Sequence, residues 1–257
     1  MRIALFSDIH ANLPALQACS TDMDNRNLDA IYCLGDLVGY NVWPNEVIYE
    51  IRKRRIPTIA GNYDDGVGRM SDDCGCVYKT DDKKLMGKIS ISFTNHLVQP
   101  AQRNFLRTLP FSLSVEFRLA DGHLHLVMVH GSPRHLSEYL FEDRDEKSLL
   151  RICKDARADI LCFGHTHKPF HRALPTQELA HGYHRHAINI GSVGKPKDGD
   201  PRSCYTILTI DPGSSVRDPD SVKVEFIRFE YDIEQVARAI GESPLPNAYA
   251  EALRKGN

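Results

Sequence analysis

Ile3-Ala4-Leu5-Phe6-Ser7-Asp8-Ile9-His10 is the stretch that decides the fold, because a short apolar run here ends in a polar cluster. Residues 3–7 predict a buried strand, and a helix is expected from near Leu13, with Pro14 in its first turn. Asp8 and His10 are two residues apart, so an extended backbone places both side chains on one face. Short apolar runs and amphipathic stretches alternate along the rest of the chain, which is typical of α/β folds.

Four later apolar runs end in the same way, at Gly35-Asp36, Gly61-Asn62-Tyr63-Asp64, His130-Gly131 and Gly164-His165-Thr166-His167. Because open α/β sheets bind ligands beyond the carboxyl ends of their strands, we expect all five clusters to converge on one crevice. The candidate metal ligands are two carboxylates, one amide and four imidazoles: Asp8, His10, Asp36, Asn62, His130, His165 and His167. This set suits Mn, Fe, Co, Ni or Zn better than Mg or Ca. Seven ligands also suit two ions that share a bridging carboxylate better than one tetrahedral ion.

The ordered set D-x-H, G-D, G-N, H-G and G-H-x-H resembles the calcineurin-like metallophosphoesterases, from Asp8 to at least His167. The resemblance implies an α/β fold in which a two-sheet β-sandwich is flanked by helices, in four αββα layers, over a single domain of residues 1–257. It implies two divalent transition-metal ions, with manganese expected first and Fe, Zn, Ni or Co as alternatives. By resemblance, the first ion is held by Asp8, His10 and His167, the second by Asn62, His130 and His165, and Asp36 bridges them.

Two further segments resemble one group within this superfamily. The stretch from Ser7 to Leu16 is similar to small prokaryotic phosphodiesterase-type members, and Asn189–Pro196 resembles a Gly-Ser-Val-Gly loop of the same group. That group has been linked to phosphodiesters and dinucleoside polyphosphates. We therefore expect hydrolysis of a small phosphorylated substrate, with nucleotide-derived compounds among the candidates, by metal-activated hydroxide. The predicted catalytic residues are Asp36, Asn62, Asp64 and His130, and the predicted substrate contacts are Asn12, Lys195 and Arg202.

One position departs from the wider superfamily. Ser/Thr protein phosphatases and DNA-repair nucleases have His directly after the G-N, where this chain has Tyr63 followed by Asp64. That His is assigned as general acid for the leaving oxygen, so its absence favours leaving groups that need little protonation, such as a phosphoanhydride or an aryl phosphate. A phosphomonoesterase and a non-catalytic binding scaffold of the same fold stay open as alternatives. The presence of all seven ligands favours an enzyme.

Composition limits the class of protein. The 257 residues are 42% hydrophobic and 26% charged, which is typical of a globular domain. A net charge of -2 provides no global basic field, so nucleic acid is not an expected partner. No apolar run approaches the ~20 residues of a membrane span, which argues against a membrane partner. Seven cysteines without a signal peptide predict reduced thiols and a cytoplasmic location.

The sequence also makes predictions about its irregular segments, one cysteine pair, one histidine cluster and its strand edges. Residues 66–82 predict a long loop near the site, and the Pro-interrupted tail 241–257 is expected to fray. Cys74-Gly75-Cys76 lies in that loop, and a plain loop pair is favoured over a zinc site. The histidines at 181, 184 and 186 are interpreted as surface residues. Strand edges after Pro110 leave self-association into a homo-oligomer open.

Overall fold

The computed structural model describes residues 1–78, 80–120, 122–176 and 182–257. Its first sheet is built around the predicted N-terminal strand β1, which pairs parallel with one neighbour and antiparallel with the other. In spatial order the strands of this sheet are β2 (Ala30–Cys33), β1 (Arg2–Phe6), β8 (Ser203–Thr209) and β9 (Lys223–Phe229). All four agree with the sequence pattern to within a few residues.

The second sheet has a parallel centre and antiparallel edges. Its spatial order is β3 (Ser112–Leu119), β4 (Gly122–Val129), β5 (Ile160–Phe163), β7 (Tyr183–Asn189) and β6 (Phe170–Thr176). The edge strand β6 was not predicted, because Pro175 and its mixed polarity obscure the strand pattern. The apolar run Thr58-Ile59-Ala60 forms no strand of either sheet, and Thr58 makes only an isolated bridge to Cys33.

Eight α-helices flank the sheets within the described ranges. They are α1 (Leu13–Asp24), α2 (Pro44–Lys53), α3 (Asn62–Gly68), α4 (Asp81–Leu97), α5 (Pro100–Thr108), α6 (Glu146–Asp155), α7 (Ile233–Gly241) and α8 (Ala248–Lys255). Helix α1 has a proline in its first turn, as predicted, and Asp232 caps α7 by accepting from the backbone N–H of Gln235.

Alternation along β1 divides the core into layers. Ile3 and Leu5 pack between the two sheets, whereas Ala4 and Phe6 join a second cluster beneath the helices on the outer side of the first sheet. A third cluster joins the outer side of the second sheet, including Leu161, to helix α6. Burying each large aliphatic side chain contributes about 1.5–3 kcal/mol to the free energy of unfolding. The layers therefore follow the predicted αββα order.

The structure shortens the predicted loop at both ends and replaces the predicted frayed tail with a helix. The loop predicted over residues 66–82 is shorter than expected. Helix α3 extends through Gly68, and helix α4 already begins at Asp81. The tail expected to fray instead forms α8, which buries Tyr249 and Leu253 in the core. The tail prolines precede this helix rather than interrupt it, so they do not oppose its hydrogen bonds.

The histidines of β7 were also misinterpreted. His186 is buried, and its Nδ1 lies 2.9 Å from Nε2 of His171 on the neighbouring strand. His184 is half-buried, and its Nδ1 has no hydrogen-bond partner. His181 lies outside the described residues. The cluster is therefore partly inside the protein, because period-2 alternation sends these side chains to the face that packs on the other sheet.

Burial of His186 predicts an acid-sensitive stability. Burial, together with His171 and His184, lowers the pKa of His186 to about 3. The unfolded chain binds a proton near pH 6.5 and the folded chain does not, so folding loses about 1.4 kcal/mol per pH unit below 6.5. Between pH 6.5 and 5.0, wild type should lose about 2 kcal/mol more stability than His186→Gln, as measured by urea unfolding.

The matched control for this measurement is His96→Gln, since His96 is an exposed histidine on α4. It should follow the wild-type pH profile. If the free energy of unfolding fell equally with pH in wild type and His186→Gln, His186 would titrate in the folded state as it does in the unfolded chain.

Candidate metal centre

The polar clusters are held in unusual backbone conformations. Five of the seven predicted ligands have positive φ in the left-handed region: Asp8 (55°), His10 (49°), Asp36 (54°), His165 (65°) and His167 (60°). Non-glycine residues rarely adopt this region, and each such residue costs on the order of 1 kcal/mol. Strain concentrated at strand ends indicates that the backbone is bent to aim these side chains at a common point.

Asp8, His10 and His167 form the first group of converging ligands. All three side chains are buried, and their ligand atoms lie within 4.8 Å of one another. Nε2 of His167 is 3.2 Å from both Nε2 of His10 and Oδ1 of Asp8. Oδ1 of Asp8 has no hydrogen-bond partner although it is buried.

The second group is formed by Asp36, His130 and His165, which are also buried within 4.8 Å of one another. Nε2 of His130 lies 3.4 Å from Oδ2 of Asp36 and 3.1 Å from Oδ1 of Asn62. Asn62 Nδ2 donates to the carbonyl of Cys74, which turns Oδ1 towards the group. Nε2 of His165 is buried without a partner.

Asp36 lies between the two groups. Its Oδ2 is 3.4 Å from Nε2 of His130 and 3.6 Å from Nε2 of His10. Its other oxygen, Oδ1, accepts the backbone N–H of Tyr63 at 2.8 Å, which holds the carboxylate in place. One carboxylate oxygen therefore faces ligands of both groups.

Backbone carbonyls set the tautomers of three of the imidazoles. The Nδ1–H groups of His10, His130 and His167 donate to the carbonyl oxygens of Val38, Leu34 and Lys195, respectively. In the neutral form of each imidazole, Nε2 then carries a lone pair that faces the centre, as in metal-binding histidines. In the first group, two imidazole lone pairs and a carboxylate oxygen converge with no hydrogen between them. This arrangement is repulsive unless a cation lies between the acceptors, and the donor set fits a divalent transition-metal ion.

Burial and the Asp36 carboxylate shift the pKa values of these histidines in opposite directions. It lowers the pKa values of His10 and His165 to about 3, so both imidazoles are neutral ligands at pH 7. Burial alone would also lower the pKa of His130, but the Asp36 carboxylate outweighs it and raises that pKa to about 9. Burial would raise the pKa of Asp36, yet His130 holds it well below its usual value. Asp36 is therefore anionic across the physiological range.

The Asp64 side chain is held by backbone hydrogen bonds. Both oxygens of Asp64 accept backbone N–H groups, from Leu37 at 2.9 Å and from Gly61 at 3.0 Å, so this carboxylate joins the two loops that carry Asp36 and Asn62. Burial and the Asp36 carboxylate raise the pKa of Asp64 to about 7.

Asn12 caps helix α1 through the N–H of Ala15 and donates to the carbonyl of Gly194 at 3.0 Å. The amide groups of Asn12 are therefore used in holding the Gly-Ser-Val-Gly loop. Arg202 is exposed and pairs with Asp200 at 2.7 Å. Lys195 is buried as well, and its backbone carbonyl accepts from Nδ1 of His167.

Several neighbours of the centre were not predicted from the sequence. Nζ of Lys197 lies 3.5 Å from Nε2 of His167, and the ring of Tyr139 lies 4.2 Å from that of His165. Sγ of Cys76 lies 3.4 Å from Nδ2 of Asn62. Lys197 could have been predicted, because it lies two residues after Lys195 and an extended backbone would place both side chains on one face.

Comparison with known proteins identifies the family. The family model described as the calcineurin-like phosphoesterase superfamily domain matches residues 1–213. The chain belongs to the calcineurin-like phosphoesterase superfamily. This confirms the resemblance that the five motifs indicate, and it makes the chain a member of a metal-dependent family of phosphoester hydrolases with two candidate Asp/His metal sites.

Relatives cover the whole chain. The superfamily member is 33% identical to protein MJ0912 of Methanocaldococcus jannaschii, over 99% of this chain and 98% of that protein. Its structure resembles a metallophosphoesterase from Sphaerobacter thermophilus, with a TM-score of 0.73, 28% identity, and coverage of 100% of this chain and 99% of that chain. Protein PH1004 from Pyrococcus horikoshii OT3 shares the fold, with a TM-score of 0.77 at 21% identity, and coverage of 100% and 98%.

Among the helices of the described ranges, none combines the length and apolar character that crossing a membrane requires.

Proposed function

We propose that this superfamily member is a binuclear metal-dependent phosphoesterase that hydrolyses a phosphodiester or a phosphoanhydride. The observation that carries the proposal is the position of Asp36, whose Oδ2 faces His130 of one ligand group and His10 of the other. A carboxylate in this position suits a bridge between two ions. Two bound divalent ions would hold the phosphoryl oxygens, supply a hydroxide at neutral pH and neutralise the charge that develops at phosphorus.

The residues of the chain favour a leaving group that needs little protonation. In the hydrolysis, an oxygen from water bonds to phosphorus and the bond from phosphorus to the leaving oxygen breaks. Tyr63 occupies the position after Asn62, its ring packs 5.4 Å from that of His10, and burial raises its pKa well above 10. It is therefore a poor acid at neutral pH. Phosphoanhydrides and activated diesters leave as weakly basic oxyanions and need no such acid.

We further propose manganese as the resident metal, a small phosphorylated substrate and a cytoplasmic location. The mixed imidazole and carboxylate ligands support a transition metal over magnesium. A net charge of -2 supports a small substrate over nucleic acid, since polyanion binding depends on clustered basic residues.

The test is a matrix of metals against substrates. Protein stripped with a chelator would be reloaded with manganese, nickel, zinc or magnesium, and offered an aryl monoester, a bis-aryl diester, a cyclic nucleotide and a dinucleoside tetraphosphate. We expect manganese-dependent turnover of the diester or the anhydride at least about 10-fold above that of the monoester. Preferred hydrolysis of the monoester would support a phosphomonoesterase, and metal binding without turnover of any substrate would support a binding scaffold.

A further inference from the structure

The Cys74-Gly75-Cys76 segment lies against the second ligand group, although it supplies none of the predicted ligands. It follows helix α3, whose first residue is Asn62. Cys74 is buried and Cys76 is half-buried, and both thiols are free. The converging groups of metal-ligating side chains found in the described ranges contain neither cysteine. The pair therefore lies beside the metal centre without belonging to either ligand group.

The segment holds the side-chain amide of Asn62 from one side. Nδ2 of Asn62 donates to the backbone carbonyl of Cys74 at 2.8 Å and lies 3.4 Å from Sγ of Cys76. A thiol sulfur is a weak acceptor, and the amide NH₂ has two hydrogens, so each acceptor can take one. Oδ1 lies on the opposite side, 3.1 Å from Nε2 of His130. The segment thus uses both N–H groups and leaves the oxygen for the metal centre.

This pairing selects one of the two orientations of the amide. Rotation of the amide plane by 180° would bring Oδ1 of Asn62 against the carbonyl oxygen of Cys74, so that two acceptors would face each other. The same rotation would turn Nδ2 towards the metal centre, and an amide NH₂ group is a donor without acceptor capacity. Only the observed orientation therefore presents a metal ligand, and the loss of either acceptor weakens the preference for it.

Cys74 anchors the segment to helix α3. Its side chain is only 5% exposed, and a Cβ on Gly66 would lie 2.7 Å from its Sγ. Gly66 comes four residues after Asn62, so it lies about one turn further along the same face of the helix. The missing side chain at Gly66 leaves room for the thiol. Packing of the thiol on this face then holds the Cys74 carbonyl beside the Asn62 amide.

Gly75 turns the chain back towards the centre. Its φ is +71°, a conformation that glycine adopts without strain. A Cβ here would lie 2.7 Å from Oγ of Ser137, so the backbone approaches the loop that follows His130 closely. The N–H of Gly75 donates to Oδ1 of Asp73 at 2.8 Å, which fixes the turn. The turn brings Sγ of Cys76 to the amide that the preceding cysteine already holds.

We propose that Cys74-Gly75-Cys76 is a clamp that orients Asn62 for metal binding, with Cys76 as a positioning residue that acts through the Asn62 amide. This inference rests on the proposed function, in which Asn62 holds the second of two ions. It gives the cysteines the role of hydrogen-bond acceptors rather than that of a zinc site. The clamp predicts that only one of the two bound ions depends on Cys76.

Cys76→Ala tests the sulfur contact, and Cys76→Ser keeps an acceptor at the same position. Chelator-treated protein would be titrated with manganese, and electron paramagnetic resonance would follow the free ion, so that binding is measured without a substrate. In Cys76→Ala, one of the two dissociation constants should rise by about 3- to 10-fold, as expected for the loss of one hydrogen bond. The other constant should change by less than about 2-fold.

Three further results are expected from this set. Cys76→Ser should stay within about 2-fold of wild type. Cys153→Ala makes the same chemical change at a buried thiol of helix α6, and it should keep both manganese constants. Saturating manganese should restore the kcat/KM of Cys76→Ala, because the displaced amide is recovered when the ion binds. Equal weakening in Cys76→Ala and Cys76→Ser would overturn the clamp, since the sulfur would then act other than as an acceptor.

Gly66→Ala tests the anchor without changing Asn62 or either cysteine. Its methyl group would displace Sγ of Cys74, so the same manganese constant should rise by about 10-fold, although alanine favours a helix over glycine. Adding Cys74→Ala removes the sulfur that the methyl meets. The double variant should recover to within about 3-fold of Cys74→Ala alone. Wild-type manganese binding in Gly66→Ala would contradict the anchor.

Failure of the clamp and failure of the proposed function give different results. Unchanged manganese constants in both Cys76→Ala and Gly66→Ala would overturn the clamp, even in an active hydrolase. Binding of two manganese ions without hydrolysis of any substrate would instead count against the proposed function. In that case the same manganese constants would still decide whether Cys76 positions Asn62.

Discussion

Asp36→Asn should abolish metal-dependent hydrolysis, with a loss of at least about 10³-fold in kcat/KM, equivalent to about 4 kcal/mol of transition-state stabilisation. The substitution preserves shape and keeps an oxygen that can accept the Tyr63 N–H, a bond of 2.8 Å in wild type. It removes the negative charge at the oxygen that faces His130 at 3.4 Å and His10 at 3.6 Å. Without that anion, two adjacent divalent ions repel one another with less compensation.

Metal content provides the second measurement for this variant. Mass spectrometry of the reloaded protein should find close to two manganese ions per wild-type chain and one or fewer in Asp36→Asn. Asp65→Asn makes the same chemical change at a half-buried carboxylate that pairs with Arg69, and it should retain both ions and wild-type turnover. An Asp36→Asn protein with two ions and the wild-type rate would disprove the bridging position.

Gly61→Ala should have an effect of similar size, although glycine carries no ligand atom. A Cβ at this position would lie 2.1 Å from Oδ1 of Asp36 and 2.3 Å from its backbone nitrogen. Gly61 has a φ of -89°, so the obstacle is space rather than backbone conformation. Either the Asp36 loop or the Asn62 helix must move, which separates ligands of the second group. We expect a loss of at least about 10²-fold in kcat/KM and about 1–3 kcal/mol in the free energy of unfolding.

Urea unfolding and a manganese titration check both parts of this prediction. The matched control is Gly213→Ala, because a Cβ at Gly213 meets no atom within 4 Å. That variant should stay within about 0.5 kcal/mol of wild type and keep its turnover. Wild-type manganese affinity in Gly61→Ala would mean that the two loops can separate without disturbing the ligands.

The strands and the ligands were the most predictable features. Each polar cluster follows a buried strand or an apolar run, so local alternation and the residue types at its end were enough to select Asp8, Asp36 and His130. Helix α8 was less predictable, because its stability comes from Tyr249 and Leu253 packing into a core assembled from distant segments. Edge strand β6 was missed for the related reason that its pairing partner, rather than its own pattern, defines it.

Residue type alone was a weaker guide to role. Asp64 has the same carboxylate as Asp36, yet both of its oxygens are occupied by the backbone N–H groups of Leu37 and Gly61. Arg202 has the fork that suits a phosphate, yet it pairs with its neighbour Asp200 at the surface. A sequence shows which groups can bind a phosphate or a metal, whereas their hydrogen-bond partners determine whether they remain available.

By itself, the sequence determined the family, the layered α/β architecture and the chemical identity of seven candidate ligands, because these depend on local patterns and on the order of short motifs. Only the tertiary structure decided that Nε2 of His10 and His167 meet 3.2 Å apart across 157 residues of chain, and that Asp36 lies between both groups. It also decided that Cys74 and Cys76 meet the side-chain amide of Asn62. These features depend on distances between segments and on burial, and both arise only when the two sheets and their helices pack together.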